Sequence, residues 1–246
     1  MSTNRLVERS HLVYSVIMCG RFMVSDPNRI SEELLGTDDG VQFETRYNIA
    51  PGHTIPVALR RIDASLTLTN MRWGLVPRWS KDQNLGYRLI NARVETVSSK
   101  RAFRDSLHHR RCIVPADGFY EWRRRPSGKQ PYLCRLTGSL PFGFAGLWDR
   151  WTEPNGTALK TFTILTTSAN ALIRPIHSRM PVILDRSQRE EWLGVGDPLD
   201  TLARVSKPHP ALAMETFPIT TFVNNADNDS LQCLEPLETD RNQTIF

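Results

Sequence analysis

Arg111-Cys112-Ile113-Val114-Pro115-Ala116-Asp117-Gly118-Phe119-Tyr120-Glu121-Trp122 is the stretch that sets the fold class. Cys112 to Pro115 and Gly118 to Trp122 read as two short strands around an Ala-Asp-Gly turn, because Asp-Gly favours tight reversals between apolar runs. Within the second strand, alternation puts Glu121 on the face opposite Tyr120 and Trp122. A carboxyl held among apolar and aromatic neighbours has its ionised form disfavoured, which makes it a candidate for moving protons. An exposed strand glutamate would fit the same pattern.

Working outward, Tyr132 to Leu136, Phe142 to Trp148 and Phe162 to Thr167 continue the strand series, and on the other side Ile55 to Leu59 and Leu66 to Trp73 alternate as strands do. The helices are short. Asp26 to Leu35 has an Asp N-cap, a first-turn proline and Gly36 to end it. Ser98 or Ser99 caps a second helix running to about His109, Ala169 to Ile173 makes a helical turn, and Arg186 to Leu193 and Pro198 to Val205 are late helices. Arg46 to Gly52 reads as turn-rich, and His177-Ser178-Arg179-Met180-Pro181 leads into the apolar strand Val182-Ile183-Leu184. Many short strands, few helices and no internal repeat or linker point to one α+β domain.

With 246 residues, 40% of them hydrophobic and 23% charged, the chain can bury a sizeable core. No apolar run approaches the roughly 18 to 20 residues of a membrane span, so no membrane partner is expected. Cys19, Cys112, Cys134 and Cys233 lie far apart without a C-x-x-C pair, which fits a reducing, cytoplasmic setting, nucleoid-associated in a bacterium. His109 and Cys112 have a spacing that zinc uses, but no second pair joins them, and no metal or cofactor is expected. The net charge of +5 is unevenly placed: Arg72 to Arg125 holds 13 Lys/Arg against 5 Asp/Glu, a surplus of +8, and the rest sums to −3. Trp73, Trp79 and Trp122 each adjoin an arginine there. Cations that take phosphates, interleaved with rings that stack on bases, are what single-stranded nucleic acid binding uses, although a solvated basic face over core tryptophans gives the same composition.

Met18-Cys19-Gly20-Arg21-Phe22 places a thiol directly after a methionine that can itself start translation. With Met18 removed, Cys19 carries an α-amine with a pKa of about 7.7 to 8.0 and a thiol of about 8.5 on adjacent carbons. The amine condenses with an aldehyde to an imine, and the thiol closes onto the imine carbon to give a five-membered thiazolidine. Residues 1 to 17 do not make a signal peptide, because Glu8 sits in the basic region, Tyr14 and Ser15 interrupt a very short apolar run, and Met18 occupies the place of a small residue. They are expected to be an upstream-start artefact or a removed tail. Asn91, Glu121 and His177 join Cys19 as candidate chemistry.

Together, Met18 to Phe22, Tyr47-Asn48-Ile49-Ala50-Pro51, Arg72-Trp73-Gly74-Leu75, Asn91-Ala92-Arg93-Val94-Glu95-Thr96, Arg111 to Trp122 and His177 to Pro181 resemble, in order, the SRAP (SOS response-associated peptidase) family. These proteins, also called abasic site processing proteins, bind single-stranded DNA and become covalently linked to abasic sites. The resemblance implies one domain over 18 to 234, with mixed β-sheets or a barrel-like β core and short flanking helices, then a polar tail over 235 to 246. It implies that Cys19 is catalytic, with Asn91, Glu121 and His177 gathered around it. Glu121 would relay protons to and from the amine and the departing hydroxyl, His177 would protonate the deoxyribose ring oxygen or assist reversal, and Asn91 would orient the sugar or the amine. Arg21, Asn48, Trp73, Trp79, Arg93, Trp122 and Arg179 would contact DNA, although burial would equally explain Trp73. A monomer is expected. Two other readings remain: a thiol peptidase, acting on itself or on others through Cys19 and His177, and a non-covalent single-stranded DNA-binding module.

Overall fold

The computed structural model describes residues 19–36, 43–61, 63–153 and 155–237. The expected extension over 1 to 17 and most of the expected tail lie outside them. In chain order the strands are β1 (Arg21–Val24), β2 (Arg46–Ile49), β3 (Thr54–Arg60), β4 (Leu66–Trp73), β5 (Asn91–Arg93), β6 (Arg111–Ala116), β7 (Gly118–Arg125), β8 (Gly128–Leu136), β9 (Phe142–Thr152), β10 (Ala158–Ser168), β11 (Arg179–Pro181), β12 (Ile183–Leu184) and β13 (Met214–Pro218). The helices are α1 (Pro27–Arg29), which continues in a wider turn over Ile30–Leu35, then α2 (Arg104–His109), α3 (Arg186–Leu193) and α4 (Pro198–Val205).

One sheet has the order β13-β8-β7-β1-β2, and the other runs β11-β10-β4-β3-β6-β9-β12, with β5 added alongside β10. Because β10 also pairs with β9, the path β10-β4-β3-β6-β9 closes on itself as a small barrel. Closure requires strands to approach tightly, and Gly146 marks the place. It pairs with Cys112 on one side and Ile164 on the other, and a Cβ there would lie 2.8 Å from the Cys112 sulfur. The α+β class and the barrel-like core are thus both present.

The Ala-Asp-Gly stretch does not form the expected hairpin. Ala116 is still paired with Phe142 of β9, whereas Gly118 is paired with Met23 of β1, so the chain steps from the barrel to the second sheet at Asp117. The buried Asp117 side chain makes the step by accepting the Ser25 N–H at 2.7 Å, the Ser25 hydroxyl at 2.8 Å and the Asp26 N–H at 2.8 Å. A Cβ at Gly118 would meet Met23 Cε at 2.5 Å, so the end of that side chain would have to shift.

Arg46 to Ile49, read as turn, is instead β2, paired to β1 through Phe22 and Ile49. Its outer N–H groups at Tyr47 and Asn48 are taken by the Asp229 carboxylate. The helix expected from Ser98 or Ser99 starts only at Arg104, because Ser99 donates its hydroxyl back to Thr96 O instead of capping. The two late helices have the expected bounds, and Asp185 and Asp197 cap them.

The main core fills the barrel and the space beneath the second sheet, where Phe22 packs edge-on to Trp73 (ring centroids 5.0 Å apart) and Trp73 stacks parallel to Phe162. A smaller cluster of Met23, Tyr120, Leu133, Ile219, Val223 and Cys233 covers the other face of β7, with Trp122 packed against it. Alternation along β7 therefore directs Phe119 and Glu121 to the main core and Tyr120 and Trp122 away from it. No helix among the described residues is long and apolar enough to cross a membrane.

Candidate active site

Cys19 lies two residues ahead of the first residue of β1 and is completely buried. Its backbone nitrogen donates to Glu121 Oε1 at 2.8 Å, and its carbonyl accepts from Asn91 Nδ2 at 3.3 Å. Three elements distant in sequence therefore meet at one residue: the start of β1, the middle of β7 and the start of β5. Glu121 reaches this point because β1 and β7 pair with Arg21 opposite Tyr120, so the next residue of β7 lies beside the end of β1. Asn91 is placed by the parallel pairing of β5 with β10, Asn91 opposite Ile164.

Burial pushes the Glu121 carboxyl up to about 8, although N–H groups of Cys19 and Trp122 pull the other way. The Cys19 thiol is raised well above the usual cysteine range, by burial first and then by the Glu121 and Cys134 groups. Cys134 is a buried thiol on β8, opposite Phe119, and it too is raised by burial and by Glu121. Nothing local in the chain singles it out, since only the cross-strand register brings it beside the carboxyl.

Cys19 also adopts a φ of +37°, in the left-handed region, where residues with a Cβ pay roughly 1 kcal/mol or more.

His177 is half-buried and lies just ahead of β11. Its Nδ1 lies 3.1 Å from the Arg179 backbone nitrogen and 3.2 Å from the Arg179 carbonyl oxygen, so it accepts from the first when bare and donates to the second when protonated. Burial lowers its pKa, the Arg179 and Arg124 charges add to this, and a hydrogen bond with the Arg179 backbone opposes it. Among the described residues no hydrogen bond joins His177 to Cys19, Glu121 or Asn91.

The seven residues expected to touch DNA separate into two groups. Trp73 is 1% exposed, donates its indole N–H to Ile90 O at 2.9 Å and lies inside the aromatic core, so it presents no face to a base. Asn48 is also fully buried, and its amide donates to the carbonyls of Val223, Asn225 and Asn228, fastening that loop to β2. The other five reach the surface. Trp79 is exposed beneath the Arg101 guanidinium, 4.3 Å from its ring centroid, and Arg93 is exposed at the end of β5. Arg21 donates to Val223 O and lies 6.0 Å from the Trp122 ring, while Trp122 donates its indole N–H to Asn224 Oδ1 at 2.7 Å. Arg179 grips both Glu95 carboxylate oxygens and Thr166 O.

Residues 18–226 match the family model described as SOS response associated peptidase (SRAP). The chain belongs to the SRAP family. It is 41% identical over 225 residues to the abasic site processing protein YoqW of Bacillus subtilis, covering 89% of this chain and 99% of that one. To the abasic site processing protein HMCES of Gallus gallus it is 35% identical over 228 residues, covering 80% of this chain and 68% of the relative. A crystal structure of a Bacteroides thetaiotaomicron protein superposes with a TM-score of 0.77 at 26% identity, over 89% of this chain and all of that one.

In this SRAP chain, residues outside the family-like catalytic set also shape the site. Asp117 fixes the β1–β7 pairing that aims Glu121 at Cys19, and Asn224 ties Trp122 to the loop that Asn48 holds. Asp117 had a local signal, the Asp-Gly pair, but it was read as a reversal. Asn224 had none, as its partner is 102 residues away.

Proposed function

We propose that this chain captures the ring-opened form of an abasic site in single-stranded DNA as a thiazolidine on Cys19, with Cys19 as the first residue of the working protein. The observation that carries this reading is the 2.8 Å contact between the Cys19 nitrogen and a Glu121 carboxyl whose pKa is raised to about 8. That nitrogen is an amide while Met18 is attached, and an amide lone pair is lost to resonance; freed, it is an amine already held against a group able to take and return its proton. Releasing Met18 also abolishes the φ dihedral that Cys19 holds in the left-handed region.

The free amine adds to the C1′ aldehyde, and Glu121 carries one amine proton to the oxygen, giving a neutral carbinolamine. Glu121 then carries the remaining N–H proton to the hydroxyl, which departs as water and leaves an imine. The thiol then adds across the C=N bond, its sulfur bonding to carbon and its proton going to nitrogen, so the net reaction releases one water. Asn91 holds the Cys19 carbonyl and so fixes the direction of the amine. His177 donates to the sugar ring oxygen or its product hydroxyl through Nε2, with Nδ1 turned to the Arg179 backbone.

The raised thiol of Cys19 favours this order, amine first, over attack by a thiolate as a thiol peptidase requires. The test is a denaturing gel after incubation with abasic single-stranded DNA. A heat-stable shifted band is expected for protein beginning at Cys19. Cys19→Ala is expected to leave only an imine that borohydride traps. An equally durable adduct from Cys19→Ala without reduction, or cleaved peptide with no shifted band, would refute the mechanism.

A further inference from the structure

A groove of about 580 Å³ opens between the end of β3, the end of α2 and the segment from Leu193 to Pro198. It shares no residue with the Cys19 site. Arg111, at the start of β6, lines it, and five residues of ladder, roughly 16 Å, separate Arg111 from the end of β6 where the chain turns toward Glu121. Arg60, His108 and His109 supply further basic groups on its rim, and Trp148 a half-buried ring.

The Arg111 guanidinium is held in place by Gly194 O and by the Trp192 ring at 5.6 Å, yet its Nη1 is buried without an acceptor among the described residues. Lys160 Nζ lies 6.0 Å from the Trp148 ring centroid and adds a cation beside it. The nearby acids are engaged: Asp197 caps α4 by accepting the Leu199 and Asp200 N–H groups, and Asp105 pairs with Arg110. A guanidinium held in place beside further cations and a half-buried aromatic ring matches a phosphodiester chain with unstacked bases. An acidic peptide would use the cations and leave the ring idle.

We propose that this groove is a second site for single-stranded DNA, holding a part of the strand remote from the nucleotide that reacts at Cys19. The proposal rests on DNA being the partner, as argued above, and its test separates the two. Full-length protein is titrated with abasic oligonucleotides of about 6 and about 25 nucleotides, a range that brackets one site and more than one. Arg60→Glu is compared with Lys207→Glu, an exposed lysine outside the groove that matches the charge change. Arg60→Glu is expected to weaken the long strand about fivefold more than Lys207→Glu does and to crosslink the short one at the wild-type rate. Equal losses for the two variants would overturn the groove. So would binding of polyglutamate that Arg60→Glu abolishes while long-strand affinity stays unchanged. If the short oligonucleotide fails to crosslink to wild type, the Cys19 chemistry is what fails, and the length dependence still reports on the groove.

Discussion

Glu121 carries opposite burdens in folding and in chemistry. Its folded pKa of about 8 lies above the ordinary carboxyl value of 4.5, so between these values the folded state holds a proton that the unfolded state has released. Stability is therefore fully present below about 4.5 and declines as pH rises toward 8, by a ceiling on the order of 5 kcal/mol. Glu121→Gln removes this titration. Urea unfolding across that window should show the variant gaining on wild type as pH rises, and a constant difference would mean the carboxyl titrates normally in the folded protein. The same substitution keeps the acceptor oxygen but cannot shuttle a proton, so crosslinking should slow by about 10²-fold or more while DNA affinity changes little. Single-turnover gel kinetics checks this, and wild-type rates would reassign the proton relay.

At the level of elements, the segment from Thr221 to Asp229 acts as a strap across the second sheet. Asn48 holds three of its carbonyls, Arg21 a fourth contact and Trp122 the Asn224 side chain. Asn48→Ala should cost about 2 to 4 kcal/mol, because the three hydrogen bonds of a buried amide are lost together, although each carbonyl keeps a second donor in Arg21, the Asn228 N–H or the Cys233 thiol. Hydrogen exchange should then accelerate over residues 222 to 228 ahead of β7, and uniform protection there would show that the strap does not depend on Asn48. The sequence makes strands legible and their partners much less so. The period-two pattern found β3, β4, β6 and β7, but nothing local distinguishes a hairpin at Asp117 from a step between sheets, because the deciding contacts are to Ser25 and Asp26, more than ninety residues earlier. The family-like blocks named Cys19, Glu121 and Asn91, which the fold does bring together. The same blocks placed Trp73 and Asn48 on the DNA surface, since a motif marks a residue as needed without saying whether packing or contact needs it. For Trp73 a signal was present: it shares parity with Met71 along β4, and both are buried.

For the molecule as a whole, the +8 surplus between Arg72 and Arg125 overstates the charge offered to DNA. Arg78 and Arg110 are bound to Asp105 and Asp149 as part of the fold. Arg93 and Arg101 are exposed, the latter over Trp79. Binding to single-stranded DNA should weaken with salt at roughly 0.7 logarithmic units of affinity per decade for each phosphate neutralised, so the slope counts the cations in use. Arg93→Gln should reduce that slope by about 0.7 and leave thermal stability within about 0.5 kcal/mol, as surface changes do. Arg78→Gln should do the reverse. It removes one partner from the Asp149 carboxylate, which is 4% exposed, and lowers the melting temperature while the slope holds. Affinity titrations between low and high salt, paired with thermal melts, read both effects on the same samples. A slope unchanged in Arg93→Gln and lowered in Arg78→Gln would mean that the arginines tied into the fold, rather than those standing free of it, meet the phosphates.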